Sequence, residues 1–202
     1  MVFHNLVFKM PMVAEDGKDR EVQTLIRREK NRLKTLIRSR DRSQSYEWIT
    51  HIEVEVEPLA NGSQMRQLDL NEIRQKGDDQ LTEAAQNNII LYDNSLYGPR
   101  WENRKSVLCG KDFQLTEIEL KEEFVSDLLN YKLHPAIFDM CTQYDDPRKK
   151  DDEPFLPFAY KKLAISGEFP RKVYSYIRSY PDNNFQESEV WYDITILDED
   201  GT

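Results

Sequence analysis

Tyr46-Glu47-Trp48-Ile49-Thr50-His51-Ile52-Glu53-Val54-Glu55-Val56-Glu57 alternates at a period of two. Trp48, Thr50, Ile52, Val54 and Val56 fall on one face, and His51, Glu53, Glu55 and Glu57 on the other. Successive side chains of a strand point to opposite faces, so this pattern predicts a half-buried antiparallel strand. On that reading His51 points with the glutamates, toward solvent or an interface.

Upstream, the chain also reads as strand. Phe3, Leu6, Val7 and Phe8 precede Pro11, and Glu15-Asp16-Gly17-Lys18 is a turn signal. Thr24-Leu25-Ile26-Arg27 nearly repeats as Thr35-Leu36-Ile37-Arg38, which predicts two adjacent strands joined by a polar loop over Arg28–Arg32. The basic run from Arg27 to Arg42 is either a docking face for an acidic partner or a solvated hairpin whose charges keep an edge strand soluble.

Downstream, a polar connection begins at Asn61-Gly62-Ser63. Asp69 is placed to cap a short helix over Leu70–Lys76, with Gly77 as its stop. A second helix is considered over 79–88. Beyond it the sequence predicts strands at Lys105–Cys109, Phe113–Leu120, Tyr160–Ser166, Lys172–Tyr180 and Val190–Leu197, with a short helix at Glu122–Leu129. Tyr174, Tyr176, Tyr180 and Trp191 read as cross-strand packing. Asp198-Glu199-Asp200-Gly201 is a turn signal. The expected fold class is α+β, mostly antiparallel β. Its parts are a first lobe at 1–58, an inter-lobe linker with short helices at 59–93, and a second lobe at 94–202.

Composition narrows the function. Lys and Arg number 28 against 37 Asp and Glu, for a net charge of −9, which argues against general nucleic-acid binding. No apolar run approaches the roughly 18 residues that a membrane span needs. The apolar start, interrupted by His4 and Lys9, does not read as a signal peptide, and a cytoplasmic chain is expected. Cys109 and Cys141 are expected to be two buried thiols. They form no Cys-x-x-Cys pair, and His4, His51 and His134 are far apart, so no metal site is expected. Only 7 glycines occur and no phosphate-cradling motif is present.

The segment Leu133–Gln143 is apolar and opens with Pro135 at a plausible first helical position. Asp139 stands within it among Ile137, Phe138, Met140 and Cys141. Burying an ionised carboxylate without a partner is costly, so such a group is hydrogen-bonded or held protonated. A protonated carboxyl in an apolar pocket suits a general acid. By spacing alone, an outward-facing or capping role is the plainer reading of the same Asp.

His134-Pro135-Ala136-Ile137-Phe138-Asp139 followed by Gln143 resembles the His-Pro-x-x-x-Asp-x-x-x-Gln/His motif of polyketide synthase dehydratase domains. Tyr97-Gly98-Pro99-Arg100-Trp101 is similar to that family's Tyr-Gly-Pro-x-Phe, with Trp for Phe. Leu156-Pro157-Phe158-Ala159-Tyr160 is similar to its Leu-Pro-Phe-x-Trp, with Tyr for Trp. Trp48-Ile49-Thr50-His51 resembles the later part of the family's first lobe. The resemblance implies a double hot dog, two antiparallel sheets each wrapped around a central helix. It also implies removal of water from a 3-hydroxyacyl chain carried on the phosphopantetheine of an acyl carrier protein, with no other cofactor. Asp139 would be the acid, and Gln143 its hydrogen-bonding partner. Tyr97, Gly98, Pro99, His134, Pro135, Leu156, Pro157 and Phe158 would line the substrate pocket.

The family's base lies in His-x-x-x-Gly-x-x-x-x-Pro, and these 202 residues hold no such motif. The chain is expected to start downstream of that base and of the first-lobe helix, and to be inactive by itself. The alternative function is a non-catalytic module that docks carrier protein or neighbouring synthase domains. A first lobe without its helix would expose an apolar sheet face, expected to be covered by the second lobe, a second copy of the chain as a homodimer, or further residues.

Overall fold

The order of elements along the chain follows the expected alternation of short strands and turns. They are β1 (Val2–Phe8), β2 (Arg20–Glu29), β3 (Arg32–Asp41), β4 (Ile49–Glu57), α1 (Leu70–Gln75), β5 (Asp79–Leu81), β6 (Arg104–Cys109), β7 (Phe113–Glu119), α2 (Pro135–Cys141), β8 (Ala159–Ala164), β9 (Lys172–Ser179) and β10 (Tyr192–Leu197). Pro99–Trp101 and Glu122–Leu129 are 3₁₀ segments, the second over the bounds of the expected short helix. The computed structural model describes residues 1–42, 47–60, 67–77, 79–81, 97–144, 156–183 and 189–202. The connection at Asn61-Gly62-Ser63 and most of the helix considered over 79–88 lie outside those residues, and 79–81 is strand.

Two five-stranded antiparallel sheets result, in the orders β2-β3-β4-β1-β8 and β10-β9-β7-β6-β5. They belong to two compact units, Met1–Gln64 with Phe155–Ser166, and Met65–Pro154 with Gly167–Thr202. This redraws the expected division in two places. β8 was expected in the second lobe, yet it pairs with β1, as Val2↔Ala164 and His4↔Lys162. A local pattern identifies a strand but not its partner, and β1 offers it an unpaired edge. The segment carrying α1 and β5, expected as linker, is built into the second unit. Asp69 caps α1 by accepting from the N–H groups of Asn71 and Glu72 at 2.8 and 3.2 Å.

In the first unit the near-repeat meets itself, with Thr24 opposite Ile37 and Ile26 opposite Thr35. The strands run closer to the turn than expected, leaving Lys30-Asn31 between them, with Lys30 at a φ of 54°. Part of the cation-rich hairpin is paired across strands: Arg32 pairs with Glu55 and Glu57, Lys34 with Glu53, and Arg40 with Glu21.

The face assignment of β4 fails at one residue. Ile37 pairs with Ile52 but Arg38 pairs with Thr50, so His51 is an extra residue in a β-bulge. One inserted residue reverses the parity of everything before it. Trp48 and Thr50 thus leave the face of Ile52, and the Trp48 ring lies under the guanidinium groups of Arg38 and Arg40, at 4.5 and 4.7 Å. His51 turns inward and is 3% exposed, contrary to the expected solvent-facing position. On the apolar face of this sheet Val22, Ile26, Leu33 and Ile49 are exposed.

In the second unit both faces of the sheet are covered. Phe113, Leu115, Tyr174 and Leu197 pack with Leu70 and Ile73 of α1. Ile118 and Val173, on the opposite face, pack with Ile137, Met140 and Cys141 of α2. This double cover explains why β7 is buried along most of its length. Cys141 is buried as expected, but Cys109 is only partly so.

Candidate active site

α2 is a seven-residue helix, too short to persist without packing. Its apolar side enters the core, which leaves Phe138 and Asp139 half-buried on the side away from the sheet. The last carbonyls of any helix lack intrahelical partners. Here the sheet supplies them. Ser175 Oγ donates to the Cys141 carbonyl at 2.6 Å, and Gln114 Nε2 donates to the Gln143 carbonyl at 3.1 Å. Thr142 Oγ donates to the carbonyl of Asp139 at 2.8 Å.

The second element of the site is the Pro99–Trp101 turn. Pro99 opens it with a preset φ, and the Trp101 N–H donates to the Gly98 carbonyl at 3.0 Å. Asn103 anchors the turn from behind. Its Nδ2 donates to the carbonyls of Arg100 and Ala136, at 3.0 and 3.4 Å, and its backbone carbonyl accepts from the Glu119 N–H. Trp101 then reaches α2 and donates from Nε1 to Asp139 Oδ2 at 2.7 Å. Tyr97 lies beside the indole, with ring centroids 6.1 Å apart. Burial, and after it the negative charge of Asp139, hold the Tyr97 phenol above its ordinary value.

A third group flanks the entrance of α2. Arg100 Nε donates to Asp127 Oδ2 at 2.6 Å while its guanidinium lies over the Phe124 ring. That pairing, with a smaller contribution from His134, holds the Asp127 carboxyl below its usual range. His134 is 1% exposed and stands at the start of α2, with Nε2 3.4 Å from Asp127 and Nδ1 buried without a partner. Its ring meets Tyr131 edge-on.

Tyr97, Gly98, Pro99, His134, Pro135, Asp139 and Gln143 therefore come from two elements tied together within the second unit. The hydrogen bond expected from Gln143 to Asp139 is made by Trp101, and Gln143 is engaged through its backbone carbonyl. Leu156, Pro157 and Phe158 lead into β8 in the first unit, where Phe158 accepts from the Phe8 N–H at 3.0 Å. Leu156 and Phe158 are exposed. Sequence reasoning missed Trp101, Asn103, Gln114 and Ser175. No sequence signal singled out Gln114 and Ser175, because β7 and β9 each carry several other polar residues and only burial shows which of them need a partner.

Residues 67–202 match the family described as polyketide synthase dehydratase N-terminal domain. The chain is 28% identical over 113 residues to polyketide synthase PksM of Bacillus subtilis (strain 168), a match covering 52% of this chain and 3% of that protein. It is 27% identical over 107 residues to PksN of the same organism, covering 52% and 2%. The chain thus spans only a small fraction of the length of these relatives. Among solved structures it is similar to the dehydratase domains from the CurF and CurH modules of curacin polyketide synthase. Their TM-scores are 0.84 and 0.81 and their identities 20% and 22%, over 99% of this chain and 70% and 72% of theirs. At such identities the likeness shows the fold. Two similar structures of CurK dehydratase are inactive mutants, one with a histidine replaced by phenylalanine and one with an aspartate replaced by asparagine.

Proposed function

The chain belongs to the polyketide synthase dehydratase family, and from that premise we propose that it carries the acid half of a dehydration centre for 3-hydroxyacyl thioesters. The observation that carries this reading is Asp139, a half-buried carboxyl on an apolar helix, held by the Trp101 indole. The substrate arrives on the phosphopantetheine arm of an acyl carrier protein, and the adjacent domains are those of a polyketide synthase. Tyr97, Gly98, Pro99, His134 and Pro135, all of the second unit, line the acyl pocket.

The chemistry requires two proton transfers. Asp139 gives its proton to the β-hydroxyl oxygen as the C–O bond breaks and water leaves. The electron pair of the α-C–H bond becomes the double bond, and that proton passes to an imidazole base. The three histidines of the chain are otherwise engaged. His4 Nε2 bonds Glu57 at 2.7 Å, His51 is buried between Ser39 and Met10, and His134 faces Asp127. None stands in the family's base motif. The inactive histidine and aspartate mutants of CurK dehydratase agree with a need for two groups in that protein.

The same observation favours a second reading for the isolated 202 residues, a module that docks carrier protein without turning it over. General-base catalysis is worth about 10²–10⁴-fold, so the chain alone should stay near background. The test is mass spectrometry of a 3-hydroxyacyl-loaded carrier protein incubated with the chain, watching for loss of water. We expect no loss, with or without Asp139→Asn. Turnover abolished by Asp139→Asn would place a base within these residues, and His51 would be examined first.

A further inference from the structure

We propose that Trp101 is the positioning residue for the acid, selecting which oxygen of Asp139 carries the transferable proton. The inference rests on the reading of Asp139 as the acid. An indole N–H is a donor only and never an acceptor. At 2.7 Å from Oδ2 it commits that oxygen as an acceptor in both protonation states. A proton on Oδ2 would compete with the indole for space and for the same lone-pair directions, so the proton resides on Oδ1. Oδ1 is then the oxygen presented to the β-hydroxyl.

Selection of this kind requires that both partners be held still. On one side, the Trp101 turn is fixed by Pro99, by Asn103 bridging Arg100 and Ala136, and by the Arg100–Asp127 ion pair. Asn103 is fully buried, so these bonds are shielded from water. On the other side, α2 is pinned to the sheet by Ser175 and Gln114, and the Trp101 ring packs against the core cluster of α2. The indole and the carboxyl are thereby two fixed points rather than two mobile side chains. A phenylalanine at position 101 would fill much of the same space but offer no donor, leaving Asp139 free to rotate about its terminal bond.

The experiment measures binding of a stable amide analogue, 3-hydroxybutyryl pantetheine amide, and of its 3-deoxy counterpart, butyryl pantetheine amide, to the 202-residue chain. The wild type should prefer the hydroxy analogue by about tenfold, as for one hydrogen bond to a charged or strongly polar group. Trp101→Phe should reduce that preference to near unity, read as the ratio of the two affinities in the same variant. A preference retained in Trp101→Phe but lost in Asp139→Asn would overturn the positioning role and leave the acid intact. No preference in the wild type, or one unaffected by Asp139→Asn, would instead overturn the reading of Asp139. A second measurement leaves position 101 intact: the Trp101 Nε1–H resonance in a ¹H–¹⁵N NMR spectrum should move in Asp139→Asn, which weakens the acceptor. A resonance unchanged in Asp139→Asn would refute the contact.

Discussion

Gln114, in the interior of β7, donates from Nε2 to the backbone carbonyl of Gln143, two residues beyond the end of α2, at 3.1 Å. The same amide nitrogen also donates to Thr116 Oγ at 2.8 Å. A fully buried polar side chain of a core strand thus holds the chain just past the C-terminal end of the helix that carries Asp139. The sheet therefore sets the helix position from its C-terminal end, and the Trp101 turn sets it from the side.

Gln114→Leu should consequently destabilise the second unit. It leaves the Gln143 carbonyl without this donor, and an unsatisfied buried group costs about 1–3 kcal/mol. Urea unfolding followed by tryptophan fluorescence measures the loss. Ser175→Ala should behave alike through the Cys141 carbonyl. A Gln114→Leu variant as stable as the wild type would mean that the helix end finds another partner.

Tyr97 reports the charge of its neighbour. Burial raises its phenol first and Asp139 second. Asp139→Asn removes the second cause and keeps the first, so the Tyr97 titration should shift toward, but not reach, the ordinary value. Site-resolved ¹³C NMR of the tyrosine ring distinguishes it from the other tyrosines. An unchanged titration in Asp139→Asn would place the carboxyl too far away to act on it.

Glu53 sits between Lys34 and Lys9, which hold its carboxyl down to about 2 from an ordinary 4.5. The folded value lies below the unfolded one. Its contribution is therefore full above about pH 4.5 and is lost as the pH falls toward 2. Glu53→Gln should flatten the fall in stability across that window and change little at neutral pH, because the pair is partly exposed and screened by salt. Denaturant midpoints measured at steps from pH 2 to 6 test this, and a slope identical to wild type would contradict it.

Gly201 and Gly167 form a matched pair. Gly201 has a φ of 78°, and a Cβ there would lie 2.1 Å from the Leu68 carbonyl oxygen, which is backbone and has little room to move. That approach exists because the Leu68 N–H donates to the Gly201 carbonyl at 2.9 Å. Gly201→Ala should cost about 1–2 kcal/mol from left-handed backbone alone, with the clash added. Gly167 meets nothing within 4 Å and is not left-handed, so Gly167→Ala should be neutral or slightly stabilising. Thermal unfolding of the two variants side by side gives the contrast.

Ser39 and His51 close a buried polar chain in the first unit. His51 Nδ1 donates to the Met10 carbonyl at 3.0 Å, which leaves Nε2 to accept from Ser39 Oγ at 2.6 Å. Ser39 Oγ in turn accepts from Arg20 at 2.8 Å. Ser39→Ala should cost about 1–3 kcal/mol because it orphans two nitrogens at once. Loss of stability in a denaturant melt is the expected result, and a neutral outcome would mean that water replaces the hydroxyl.

Period-two patterning, the Asp69 cap and the facing Thr-Leu-Ile segments were legible in the sequence because each depends on neighbours a few residues away. So was the order of the three motifs, whose residues carry their chemistry in their identity. The inward turn of His51 was not legible, because it depends on a bulge, and a bulge is visible only against the partner strand that lacks the extra residue. The sheet joined by β8 was equally hidden, since every strand offers hydrogen bonds to any open edge and only packing selects one. Trp101 stood in a recognisable motif, yet its role as donor to Asp139 required a contact across 38 residues. Sequence determined which residues favour strand, turn and acid chemistry. Tertiary structure decided which donor meets which acceptor, because a buried polar group is satisfied by whatever the fold brings within about 3 Å of it.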